Sequence, residues 1–124
     1  AMGRYEEATQ AFGKAGKLVD EDPHLLAEHA EALALATGGS LRGRPSELIA
    51  RALKLDPQFP DALVLAGTAA YEREDYAAAA AYWERLLKLL PPDSEDAQSL
   101  ADSIKKARAA AQKQTRKKPA SGKP

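Results

Sequence analysis

The stretch EDYAAAAAYWERLLKLLPPD, Glu74 to Asp93, carries the deciding pattern. Its alanines and leucines are strong helix formers. Its closing Pro91-Pro92 forbids the helix from continuing, since proline lacks the N–H and restricts the residue before it. Within it Trp83 stands three residues before Leu86 and eight before Pro91. Ile49, Ala52 and Pro57 repeat that spacing 34 residues earlier, and Phe12, Ala15 and Asp20 repeat it 37 residues before that. Ala79, Pro45 and Ala8 stand four residues ahead of the bulky member in each case. A second register agrees, with Pro60 and Leu63 mirroring Pro23 and Leu26 at a spacing of 37. A fixed period in this range marks a stack of small supersecondary units.

Composition supports helix throughout. The 124 residues are 44% hydrophobic and 29% charged, with one Trp, two Phe and four Tyr, so alanine and leucine supply the apolar mass. Runs of Val, Ile and Thr that build strands are missing. The fold class read from this is all-α, with helices over 4–18, 24–37, 46–55, 60–72, 76–90 and 94–112. Asp93 or Ser94 is the expected N-cap of the last helix. Leu100, Ile104 and Ala107 give that helix one apolar stripe, as a capping helix over the end of a stack requires.

Cysteine is absent, which excludes disulfides, thiol catalysis and thiolate metal sites. No stretch reaches the ~20 apolar residues of a membrane span, and no signal peptide is visible. The opening Ala-Met-Gly reads as a cloning scar on an excised fragment. Net charge is zero, yet residues 113–124 hold five Lys or Arg and no acid, which leaves residues 1–112 with 13 basic and 18 acidic side chains, a balance of −5. No aromatic interleaves with the basic tail, so a solvated, disordered end is expected rather than nucleic-acid binding.

GRYEEATQAFGKA (Gly3 to Ala15) and EDYAAAAAYWERLLKLLPPD resemble the second helix of the tetratricopeptide repeat, and DALVLAGTAAYEREDY (Asp61 to Tyr76) resembles its first helix and turn. Gly67 falls in that family's small-residue slot, and Ala30 fills it in the middle repeat. The departures are Asp20 where proline is usual and Pro45 where a small helical residue is usual. The resemblance implies a right-handed helical-hairpin solenoid over residues 1–112, made of a half repeat (1–20), repeats at 23–57 and 60–91, and the capping helix at 94–112, followed by the tail at 113–124. The first repeat has only its second helix, so Tyr5, Ala8 and Phe12 are expected to be covered by a missing upstream helix or by a second copy.

Three phrases narrow the resemblance: AEHAEALALATGG (Ala27 to Gly39), ALKLDPQFPDAL (Ala52 to Leu63) and AAYWERLLKLLPPDS (Ala80 to Ser94). They are similar to the periplasmic repeat domain of c-type cytochrome biogenesis proteins of the CcmI and NrfG kind. That resemblance implies a non-catalytic adaptor that captures the C-terminal helix of apocytochrome c, in company with haem-lyase components. It also implies a periplasmic site, tethered to the inner membrane by a segment absent here; a cytoplasmic site is the alternative. Competing readings are a scaffold that assembles a complex or self-associates through its N-terminal face, and the accessory domain of an enzyme.

In such a stack the first helices line the concave face. His24, Ala27, Glu28, Glu31 and Leu35, with Asp61, Val64, Thr68, Tyr71 and Glu72, are therefore the expected peptide-binding groove. A few apolar contacts among acids suit an amphipathic helix with basic flanks; the bland alternative is an ordinary solvated face. Trp83 could serve as a ligand platform, but its register assigns it to the core. His24 and His29 lie about 140° apart on a helix and cannot share a metal; His24 is expected at the surface and His29 partly buried. The loop GGSLRGR (Gly38 to Arg44) is glycine-rich and basic but lacks the preceding strand and the Gly-Lys-Ser/Thr ending of a phosphate loop. No nucleophile, base and orienter assemble, so no catalytic residue, cofactor or metal is expected.

Overall fold

A computed structural model of the chain describes residues 22–117, and among these it forms five helices and no strand. They are α1 (Pro23–Ala36), α2 (Arg44–Leu55), α3 (Pro60–Glu72), α4 (Tyr76–Leu87) and α5 (Glu95–Lys117). The expected helix over 4–18, and with it the N-terminal face of Tyr5, Ala8 and Phe12, lies outside the described residues.

Local chemistry sets each boundary. Asp22 caps α1 by accepting from the His24 N–H at 2.9 Å, and Pro23 begins the helix where its missing N–H is harmless. Gly38 and Gly39 then turn the chain away at φ 94° and 96°, where a side chain would be strained. Pro45 lies in the first turn of α2, which starts at Arg44, slightly ahead of the expected 46. Asp75 caps α4 by accepting from the Ala78 N–H, immediately after Glu74 takes the left-handed conformation (φ 65°) in the tight α3–α4 turn. Helix α4 stops at Leu87 rather than at residue 90: Pro91 has no N–H to give the Leu87 carbonyl, and its ring biases Leu90 away from helical angles. Ser94 caps α5 through the Ala97 N–H, with Glu95 and Asp96 favourably placed at the positive end of the helix dipole.

Helix α5 also runs past Gln112 to Lys117, where composition led us to expect a solvated tail. The Gln114 side-chain amide donates to the Glu74 carbonyl at 2.8 Å, so the extension is tied to the α3–α4 turn. Arg108 adds an ion pair to Glu84 on α4.

The helices pair in sequence. α1 packs on α2, α3 on α4 and α5 on α4, while α3 joins the two hairpins by touching both α2 and α1. Two buried clusters follow: Leu26, Ala30, Leu48, Ile49, Ala52 and Ala62 between the hairpins, and Ala70, Ala79, Ala80, Ile104 and Ala107 under α5. Leu26 and Leu63, repeat partners in the sequence, are both fully buried. His29 is buried too, at 3% exposure, deeper than its expected half-burial.

Candidate functional site

Helix α1 shows solvent one narrow face. At about 100° per residue, His24, Glu28, Glu31 and Leu35 fall within about 60° of arc. All four are exposed, Leu35 by 46%. His24 also pairs with Glu28 one turn on, at 2.9 Å. Ala27 is a correction. It was expected in this face, yet it is only 2% exposed, because it lies about 20° from Ala34 on the helix wheel and turns inward with Leu26 and Ala30.

On α3, Asp61, Val64, Thr68 and Tyr71 are exposed, and Glu72 is half-buried. Val64 and Tyr71 belong, with Leu35, to the large apolar side chains that the fold leaves open to water. Helices α1 and α3 touch one another.

Glu72 does a different job from that of a free groove acid. Its Oε1 accepts from the Leu41 N–H at 2.9 Å, while its own backbone carbonyl accepts from the Arg42 guanidinium at 3.0 Å. The Ser40 hydroxyl, the Leu41 N–H and the Arg42 charge, in that order of weight for the stabilising contacts, hold the carboxyl below the usual carboxylate range. Glu72 therefore ties the Gly38–Gly43 loop to the end of α3. Leu41, tucked beneath that tie, is 5% exposed.

Tyr71 meets Tyr76 edge-on at 4.8 Å and lies over Trp83 at 5.9 Å with 27° between the rings. Trp83 is half-buried: one side packs on the α4–α5 cluster, and the indole also lies against Gly67, where any Cβ would overlap it. The small-residue slot of the last repeat is thus filled by an indole. Beside the stack Gly39, Leu41, Thr68, Tyr71, Glu72 and Trp83 line a recess of about 330 Å³. Gly39, Leu41 and Trp83 were not among the expected groove residues. The one sequence signal for Leu41 is an isolated leucine in a loop of glycine, serine and arginine.

Among the described residues no group of three or more His, Asp or Glu side chains could hold a metal ion, and no helix is long and apolar enough to cross a membrane.

Stacked helical hairpins with a capping helix, presenting exposed first-helix faces, define a tetratricopeptide-type repeat protein. The chain belongs to the family described as the cytochrome c-type biogenesis protein H TPR domain, whose model matches residues 1–97. It is 34% identical over 105 residues to the cytochrome c-type biogenesis protein CycH of Pseudomonas aeruginosa. That alignment takes in 85% of this chain and 26% of the relative, so the chain spans about a quarter of the relative's length.

Proposed function

We propose that the chain is a non-catalytic peptide-binding adaptor in c-type cytochrome maturation, working on the periplasmic side of the membrane. Its groove would take the C-terminal helix of apocytochrome c and present it to haem-lyase components. One observation carries the reading: Leu35, Val64 and Tyr71 stay exposed on the α1 and α3 faces, beside the acids Glu28, Glu31 and Asp61. An apolar strip edged with carboxylates complements a helix laid apolar side down, with lysines at its flanks. The membership of a cytochrome biogenesis family supports the choice of partner.

Titration with a C-terminal helical peptide of apocytochrome c tests it. Saturable binding is expected, weakened about tenfold or more by Val64→Asp, which sets a charge in the apolar strip; tenfold corresponds to ~1.4 kcal/mol. Self-association of the chain with no response to the peptide would instead favour an assembly scaffold.

A further inference from the structure

Three polar groups in the walls of the recess beside Tyr71 are already engaged. The Gly39 N–H donates to the Ala34 carbonyl at 2.6 Å, the Leu41 N–H to Glu72 at 2.9 Å and the Thr68 hydroxyl to the Val64 carbonyl at 3.0 Å. A polar side chain entering here would shed water and find these donors occupied, a net cost. An apolar one loses nothing. The stacked Trp83 and Tyr71 rings line one side, and another ring can extend such an aromatic cluster edge-on or offset where an aliphatic chain cannot. The size suffices: about 330 Å³ lies at the low end of the ~300–1,000 Å³ of small-molecule pockets, ample for one large side chain. Gly67 lets the indole sit against α3, and Glu72 holds the loop wall in place.

We infer that this recess is an anchor pocket for one aromatic side chain of the bound peptide, seated on the Trp83–Tyr71 stack, and that it decides which helical peptides the groove accepts. The inference rests on the peptide-binding reading above and adds a specificity determinant to it. The charge along the rest of the α1 and α3 faces sets the ligand's flanks: Glu28, Glu31 and Asp61 are exposed there, so the flanks of the preferred peptide are basic.

Trp83 is the chain's single tryptophan and reports directly on the pocket. The probes are three Lys-flanked amphipathic helical peptides, identical except for Phe, Leu or Ala at the central apolar position and free of tryptophan. The Phe peptide is expected to bind at least about tenfold more tightly than the Ala peptide, and more tightly than the Leu peptide, while shifting Trp83 emission. Thr68→Phe, which plugs the recess from an exposed position, should bring the Phe-to-Ala ratio to about one; Thr68→Leu, a smaller plug, serves if the larger one disturbs folding. Equal affinity for all three peptides on the unaltered chain overturns the pocket while leaving the groove intact. If no peptide binds, the groove reading falls, and p-cresol judges the pocket alone: saturable changes in Trp83 emission and in the Leu41 and Thr68 amide shifts uphold it, and their absence overturns it.

Discussion

At Gly67 the absence of a single carbon decides how the last repeat closes. A Cβ at that position overlaps the Trp83 indole, and the indole is pinned in turn by Tyr71 and by the α4–α5 cluster. Gly67→Ala should therefore destabilise the fold by ~1–3 kcal/mol through overpacking, although alanine is the better helix former. Thermal unfolding measures it, with the melting point expected to fall several degrees. The equivalent position in the preceding repeat already carries alanine: Ala30 is fully buried without difficulty. The sequence period identified Gly67 and Ala30 as partners, but it could not show that an indole fills the space beside the glycine. The same limit explains Ala27 and His29. A helix buried on more than one side does not divide into one apolar stripe and one polar stripe, and α1 buries Ala32 and His29 as well as Leu26 and Ala30. Trp83 was legible as a packing residue from its register; its second role, as the floor of a recess, depends on a loop approaching from the previous repeat.

At the scale of elements, the glycine-rich loop between α1 and α2 is shaped by a contact that no local pattern announces. Glu72 lies 31 residues beyond Leu41, yet its carboxylate holds the loop backbone. The carboxyl is more acidic in the folded chain than in the unfolded one, because the Ser40 and Leu41 hydrogen bonds and the Arg42 charge favour its ionised form. The stabilisation is accordingly complete at neutral pH, above the ordinary carboxylate range, and is lost as pH falls through the lowered folded value. Hydrogen exchange at the Leu41 amide should show this as protection that persists at neutral pH and disappears in acid. In Glu72→Gln, exchange at Leu41 should be faster at neutral pH and the acid-dependent step should be gone; a variant with unchanged protection would remove Glu72 from the role of loop tie. Helix starts were read well because Asp22, Pro45, Asp75 and Ser94 act through neighbours two or three residues away or through their own ring. Helix ends were read less well: α5 continues past Gln112 because Gln114 finds a carbonyl 40 residues back, a partner visible only once the helices are stacked.

Across the whole molecule, charge is distributed unevenly. The exposed faces of α1 and α3 carry acids, whereas α5 beyond Asp102 carries only basic charge: Lys105, Lys106, Arg108, Lys113, Arg116 and Lys117. Arg108 is paired with Glu84, and Lys105, Lys106, Lys113 and Arg116 are exposed on the side of α5 away from Ile104 and Ala107. The field that the proposed basic peptide would meet on approach is therefore the sum of attractive α1 and α3 faces and a repulsive end helix. Both act over a Debye length of ~8–10 Å in ordinary buffer and over ~30 Å in very dilute salt. Replacing Lys113, Arg116 and Lys117 by glutamine removes three positive charges while keeping good helix formers and leaving Gln114 on its carbonyl. The association rate of a Lys-flanked peptide should then rise a few-fold at about 20 mM salt, with little change in the dissociation rate, because steering acts on encounter and not on the bound contacts. At about 0.5 M salt the variant and the unaltered chain should associate at the same rate, since screening erases the difference. Stopped-flow mixing followed through Trp83 emission measures both limbs. A rate that ignores salt in both proteins would mean that the groove acids do not face the peptide, and the proposed ligand would lose its basic flanks.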